Sequence, residues 1–230
     1  MNWSLLPTIS APMSLQMALD AILFSAQKKE PRTPILRFYV SPEPWISVGC
    51  SFRETADLSK SGLIRRNPKV PVCRRITGGG CVLHGGDLIF SLIARFEDNS
   101  FLSSVQMSYG KIHESVKGGL EQCGLDPKFY DPEGKLPKGS DCFDFPVVSD
   151  LSWKGQKIAG GAQKRSGGVL LHQESIRIPR GVDRWKLMGA LRQGFETVFG
   201  VTVSNAELDP EIYFCAERNV ANNLHTQRED

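Results

Sequence analysis

Between Ser14 and Lys28 apolar side chains recur three and four residues apart, with Leu15, Leu19 and Ile22 on one face. Ser14 stands where a cap belongs, so the pattern predicts a helix over 14–28. The period then shortens. Residues 35–40 and 45–49 are apolar runs of strand character on either side of the turn Ser41-Pro42-Glu43-Pro44. A short helix over 54–63 is expected next, followed by a strand over 70–76 that enters Gly78-Gly79-Gly80. Further strands are predicted for 82–84 and 87–96, separated by Gly85-Gly86.

The strongest helical signal covers 103–123. Val105, Tyr109, Ile112, Val116, Leu120 and Cys123 form a stripe at helical spacing, and Gly124 is a stop. Residues 126–140, rich in Pro, Gly and Lys, read as a surface loop. A hairpin of 150–153 and 156–159 around Lys154-Gly155 follows, then a strand over 168–178. Asp183 can cap a helix over 184–199 that turns Met188, Leu191, Phe195 and Val198 inward and ends at Gly200. A last helix near 206–222 precedes a polar tail, 223–230. Strands gathered between helices without regular βαβ alternation predict an α/β (α+β) fold, a mixed and largely antiparallel sheet flanked by helices. The 230 residues fit one large domain or two small ones, with no internal repeat.

Composition changes this picture little: 40% hydrophobic and 23% charged residues are ordinary for a globular chain. The net charge of +3 is spread out, so no nucleic-acid partner is demanded, and local basic clusters such as Arg74-Arg75 mark a site sooner than a polyanion face. Six scattered cysteines without a CxxC pair argue against a zinc centre and a disulfide scaffold; no metal site is expected. Cys50, Cys73, Cys123 and Cys215 read as small buried hydrophobes. No secretory signal opens the chain, and the apolar stretch 13–26 is too short to span a bilayer, so the expected location is a reducing cytoplasm without membrane association.

Two segments carry candidate chemistry. In RRITGGGCVLH the glycines let backbone N–H groups approach a ligand, and Arg74 and Arg75 could add charge-assisted hydrogen bonds to a phosphate or carboxylate; a tight hairpin with solvated arginines is the competing reading. In DCFDFPVVSDLSWKGQKIAGGAQKR, Cys142 stands fifteen residues before Lys157. The aspartates beside Cys142 disfavour a thiolate, so a reactive Cys142 needs a cation, and Lys157, among small and apolar neighbours, is the candidate. His84 and His172 lie in apolar strand contexts, as core residues or at the border of a pocket. His113 and His225 read as structural or incidental.

RRITGGGCVLHGGDLIFSL resembles the RRxTGGGxVxHxxGxLxxS signature of lipoate–protein ligases and octanoyltransferases, and KIAGGAQKRSGGVLLHQESI resembles their second motif. MALDAIL and ILRFYVSPEPWISVG are similar to the family's opening helix and strand pair. The resemblance spans about residues 13–200. It implies a single catalytic domain over 1–230 with the biotin/lipoate ligase catalytic-domain fold, a bent antiparallel sheet related to class II aminoacyl-tRNA synthetases. It also implies attachment of octanoyl or lipoyl groups to one lysine of a lipoyl domain or of the glycine cleavage H protein. Carried onto this chain, Lys157 touches the acyl carbonyl, Arg75, Gly78, Gly79, Gly80 and His84 line one side of the pocket, and Gly160, Ala162 and Gln163 line the other.

The family holds two chemistries. Octanoyltransferases of the cysteine-dependent kind carry a [SAN]-C-F-D-x-P segment, which DCFDFP resembles; this implies transfer from octanoyl–acyl carrier protein through a Cys142 thioester, with no cofactor. ATP-dependent ligases act through lipoyl-adenylate and would need ATP and Mg. Gly80, where those transferases usually carry Arg, is similar to the ligases, and the Gln common after the first strand pair is not evident in Gly49-Cys50-Ser51-Phe52-Arg53. The expected absence of an accessory C-terminal domain joins Cys142 in favouring the transferase. A non-catalytic binder of lipoyl domains is the alternative of another class, and retention of both Cys142 and Lys157 argues against it.

Overall fold

The computed structural model describes residues 1–52, 61–131 and 147–225, with side chains to 221. In chain order the elements are β1 (Asn2–Ser10), α1 (Met13–Lys29), β2 (Ile35–Val40), β3 (Trp45–Val48), α2 (Gly62–Arg66), β4 (Val72–Arg74), β5 (Cys81–His84) and β6 (Leu88–Arg95). They continue with α3 (Val105–Gln122), β7 (Lys128–Phe129), β8 (Leu151–Trp153), β9 (Gln156–Ser166), β10 (Val169–Ile176), α4 (Arg184–Phe199), β11 (Thr202–Asn205), α5 (Pro210–Arg218) and β12 (Leu224–His225).

Eight strands form one sheet in the order β11-β1-β2-β6-β10-β9-β8-β7, and four form a smaller one, β12-β4-β3-β5. The large sheet is antiparallel from β2 to β7, while β1 runs parallel to both β2 and β11. Alternate residues of its strands face opposite layers. Leu36, Phe38, Leu92, Ala94 and Leu170 pack with Ile112, Val116, Leu191 and Phe195 of α3 and α4, whereas Ile35, Ile93, Val169 and Leu171 pack with Leu23 and Phe24 of α1. The result is the mixed, largely antiparallel sheet between helices that the pattern predicts.

The differences have local causes. Ser14 is buried inside α1, whose N-terminal boundary is Pro12, so it is not the cap. β2 belongs to the large sheet and β3 to the small one, so 41–44 is a crossover; Gly85-Gly86 is the return crossover from β5 to β6. The helix expected over 54–63 falls mostly outside the described residues; α2 starts at Gly62 behind its cap, Ser61. The helix expected over 103–123 starts after Ser104, whose hydroxyl accepts from Met107 N–H, and Val105 is exposed. β9 runs on to Ser166, and Gly167-Gly168, both with positive φ, turn it into β10. Most of the 126–140 loop lies outside the described residues, as do residues 226–230 of the tail.

Candidate active site

The small sheet delivers the glycine loop. β4 ends at Arg74, whose guanidinium donates to the carbonyls of Gly49, Cys50 and Phe52. Arg75 follows, buried, and donates to Ser47 O at 3.1 Å and Ser47 Oγ at 3.0 Å, and to the carbonyls of Gly78 and Gly80 at 2.8 and 2.9 Å. Both arginines therefore brace backbone carbonyls, where the sequence offered them to an anionic ligand. Of the three glycines, Gly79 takes a left-handed φ of +87°. Its carbonyl packs so closely on Gly49 that a Cβ there would collide with it.

Opposite this loop, β9 carries Lys157, ion-paired at 2.7 Å with Asp150, and the two side chains are 6% and 1% exposed. Asp150 also accepts from Val147 N–H at 2.7 Å. Burial raises the Asp150 carboxyl above the ordinary range, against the pull of Lys157. A Cβ on Gly160 would collide with the Lys157 side chain and stand 2.8 Å from Asp150 Oδ1, so glycine here leaves room for the ion pair.

Behind them lies a fully buried triad. Glu174 Oε2 accepts from His172 Nε2 at 2.8 Å and from His113 Nε2 at 3.1 Å. His113 Nδ1 also bonds the Ser149 carbonyl, so both its nitrogens donate and the ring is an imidazolium. Burial would raise Glu174, but the two histidines outweigh it and bring the carboxyl down to about 2. Burial likewise opposes charge on His113, and Glu174 reverses this, raising it; His172 is lowered by burial. The three ligand atoms lie within 4.8 Å of one another, a spacing that could also hold a metal ion.

These walls enclose a cavity of about 300 Å³, lined on its apolar side by Met17, Tyr39, Val82 and Ile89. Below it a buried network ties α1 to the sheet: Asp20 accepts from Arg37 at 2.5 Å, Gln173 at 2.7 Å, Ser91 at 2.8 Å and Tyr39 at 2.9 Å. Burial beside Asp20 raises the Tyr39 phenol well above its usual value. On the glycine-loop side, Ser47 Oγ lies 2.8 Å from His84 Nε2, and His84 Nδ1 lies 2.7 Å from Asp87 Oδ2. Burial would raise Asp87 too, yet His84, Ser175 and the Gly85 N–H hold it below the ordinary range.

Lys157, Arg75, Gly78, Gly79, His84, Gly160, Ala162 and Gln163 all line this one cavity. Gly80 contributes its carbonyl to Arg75. Cys142 lies outside the described residues; Val147, five positions further along, is on the cavity wall. His172 stands behind the wall, and Cys50 and Cys215 are exposed, unlike the buried cysteines expected. Cys73 is buried, and burial pushes its thiol up to about 12. Sequence reasoning missed Asp150, Glu174, Ser47, Asp87 and Tyr109. Tyr109 sits in the apolar stripe of α3, yet its hydroxyl donates to the Gly161 carbonyl on the cavity wall. Among the described residues no helix is long and apolar enough to cross a membrane.

Residues 12–182 match the model of the lipoyl protein ligase A/B catalytic domain. Octanoyltransferase LipM of Exiguobacterium sp. is 35% identical over 189 residues, spanning 79% of this chain and 67% of that protein. The LipM octanoyltransferase of Bacillus subtilis is 31% identical over 190 residues, with 80% and 68% covered. In structure the chain is similar to lipoate-protein ligase A bound with ATP, with a TM-score of 0.75 at 20% identity over 96% of this chain and 95% of the other. A bi-partite lipoate protein ligase from Thermoplasma acidophilum gives 0.70 at 20% identity over 96% and 92%, so the fold is shared although the sequences have diverged. The chain belongs to the lipoyl protein ligase A/B catalytic domain family, enzymes of protein lipoylation and octanoylation.

Proposed function

We propose that the protein transfers an octanoyl group from octanoyl–acyl carrier protein to the target lysine of a lipoyl domain or of the glycine cleavage H protein, through a thioester on Cys142. The observation that carries this reading is the Lys157 ammonium, held by Asp150 on the wall of a cavity with a markedly apolar side. An acyl chain suits such a lining, and a fixed cation beside it stabilises the negative charge that develops on an attacked carbonyl oxygen. DCFDFP and the octanoyltransferase relatives support the cysteine route.

In the first step the Cys142 thiolate attacks the donor thioester; a new C–S bond forms and the carrier thiol leaves. In the second the acceptor amine attacks; the C–N bond forms, the Cys142 thiolate departs and the amine proton is given up. Splitting the transfer replaces one slow aminolysis by two easier displacements. Neither step needs a cofactor.

Intact-mass analysis after incubation with octanoyl–acyl carrier protein should show one octanoyl adduct without ATP, absent from Cys142→Ala. Full activity of that variant, or strict dependence on ATP, sinks the reading. The second reading, an ATP- and Mg-dependent ligase acting through lipoyl-adenylate, is favoured by the intact Gly78-Gly79-Gly80 and is tested by lipoate-dependent pyrophosphate release.

A further inference from the structure

Acylation of a lysine requires its nitrogen as a free amine and a group to take the proton lost as the amide forms. The titratable side chains lining the cavity, among the described residues, are Tyr39, Arg75, His84, Tyr109, Lys157 and Glu174. Most are already committed. Tyr39 donates to Asp20, Tyr109 to the Gly161 carbonyl, and Arg75 to Ser47 and the glycine loop. Lys157 is ion-paired with Asp150. Glu174 accepts from two histidines, and at about 2 it is too weak a base.

His84 is different. With Nδ1 donating to Asp87 Oδ2 at 2.7 Å, the neutral ring offers its Nε2 lone pair to the Ser47 hydroxyl at 2.8 Å. Asp87 is fixed in turn by the Ser175 hydroxyl and the Gly85 N–H. Ser47 lies on the cavity wall and also accepts from Arg75 at 3.0 Å, which favours negative charge on its oxygen.

We propose that Ser47 and His84, oriented by Asp87, form the proton relay that deprotonates the acceptor lysine during acyl transfer. The amine attacks the octanoyl carbonyl and the C–N bond forms. Its proton passes to Ser47 Oγ as the Ser47 proton moves to His84 Nε2, giving an imidazolium facing Asp87. The leaving group departs with its electron pair, and His84 then returns the proton to it or to solvent. Ser47 and His84 touch the reacting groups, and Asp87 is a positioning residue. The charged groups facing the relay are Asp87 and Arg75, with Lys157 and Glu174 on the same cavity and Arg177 on the neighbouring one.

The inference rests on the acyl transfer to lysine proposed above, and a two-donor assay separates the two. Full-length wild type, Ser47→Ala and His84→Gln are loaded with octanoyl–acyl carrier protein, adduct formation is read by intact mass, and a lipoyl domain is added over a range of pH. A parallel arm supplies synthetic octanoyl-adenylate. Transfer to the lipoyl domain should fall ~10²-fold in both variants, with loading reduced far less and the rise of rate with pH flattened. Wild-type rates and pH dependence in the variants overturn the relay. So does a parallel loss of loading and transfer, or an octanoyl adduct on Ser47, which would make it a nucleophile. Absence of a Cys142 adduct in wild type defeats the thioester reading alone, since the adenylate arm still tests the relay; no transfer from either donor defeats both. Where His84→Gln does not fold, Ser47→Ala decides.

Discussion

Gly160 is one of four glycines on the cavity wall, and the one whose missing side chain leaves room for Lys157. In Gly160→Ala the new methyl would displace the end of Lys157 and stand against Asp150 Oδ1, disturbing a buried ion pair. Moving the ammonium by about an ångström should lower the proposed octanoyl transfer ~10²-fold, and loosening the buried pair should lower the melting temperature as well; matched activity assays and thermal melts check this. The buried pair His113–Glu174 predicts a pH signature. Glu174 falls from an ordinary 4.5 to about 2, so its contribution to stability is present above 4.5 and lost as pH falls toward 2. His113 is raised above 6.5, so its contribution is full below 6.5 and lost as pH rises through the higher folded value. The pair stabilises most between 4.5 and 6.5, and His113→Gln should flatten the alkaline decline in melting temperature; a difference independent of pH would contradict the assignment. At this scale the sequence showed the residues carried by motifs, Lys157 and the glycine loop among them. Asp150, Glu174 and Ser47 were not legible because their roles come from strands meeting across register: Asp150 looked like the start of a hairpin, and Glu174 like one of four polar residues in its strand.

Helices announce themselves locally, and α4 shows it. Asp183 caps it by accepting from Lys186 N–H at 2.7 Å, and Gly200 ends it at φ +63°, both as the sequence predicts. The contact between α3 and α4 was not legible in the same way, because it depends on two glycines that no periodicity singles out. Gly119 lies under Leu191, and a Cβ on Gly194 would strike the Ser115 carbonyl, a backbone atom with little room to move. The clash should cost ~1–3 kcal/mol against the ~1 kcal/mol that alanine gains from helix propensity, so Gly194→Ala should be destabilised by up to ~2 kcal/mol net, and urea unfolding of the variant measures the balance. Short strands were harder. β1 begins at the second residue and alternates weakly around Pro7, and β11 has four residues, so neither rises above the surrounding pattern.

For the molecule as a whole, local pattern was enough to predict mixed architecture but not which strands share a sheet. Two tight connections, 41–44 and Gly85-Gly86, look like hairpin turns and instead carry the chain between sheets, placing Ser47 and His84 on the small sheet and Glu174 and Lys157 on the large one. The cavity exists because those sheets meet, a long-range outcome that single-segment reading does not contain. The place of β1 has a further consequence, for the order of assembly. β1 pairs with β2 on one side and β11 on the other, and Trp3, fully buried, rests on Phe195 and Phe199. Contacts that link the first residues to those near 200 give the fold a high contact order, so during synthesis β1 must wait with one edge bare until α4 and β11 emerge. Sequestration of the Trp3 indole should be a late event in refolding, and a nascent chain stalled before residue 184 should keep a sticky, unpaired strand that invites aggregation or chaperone capture.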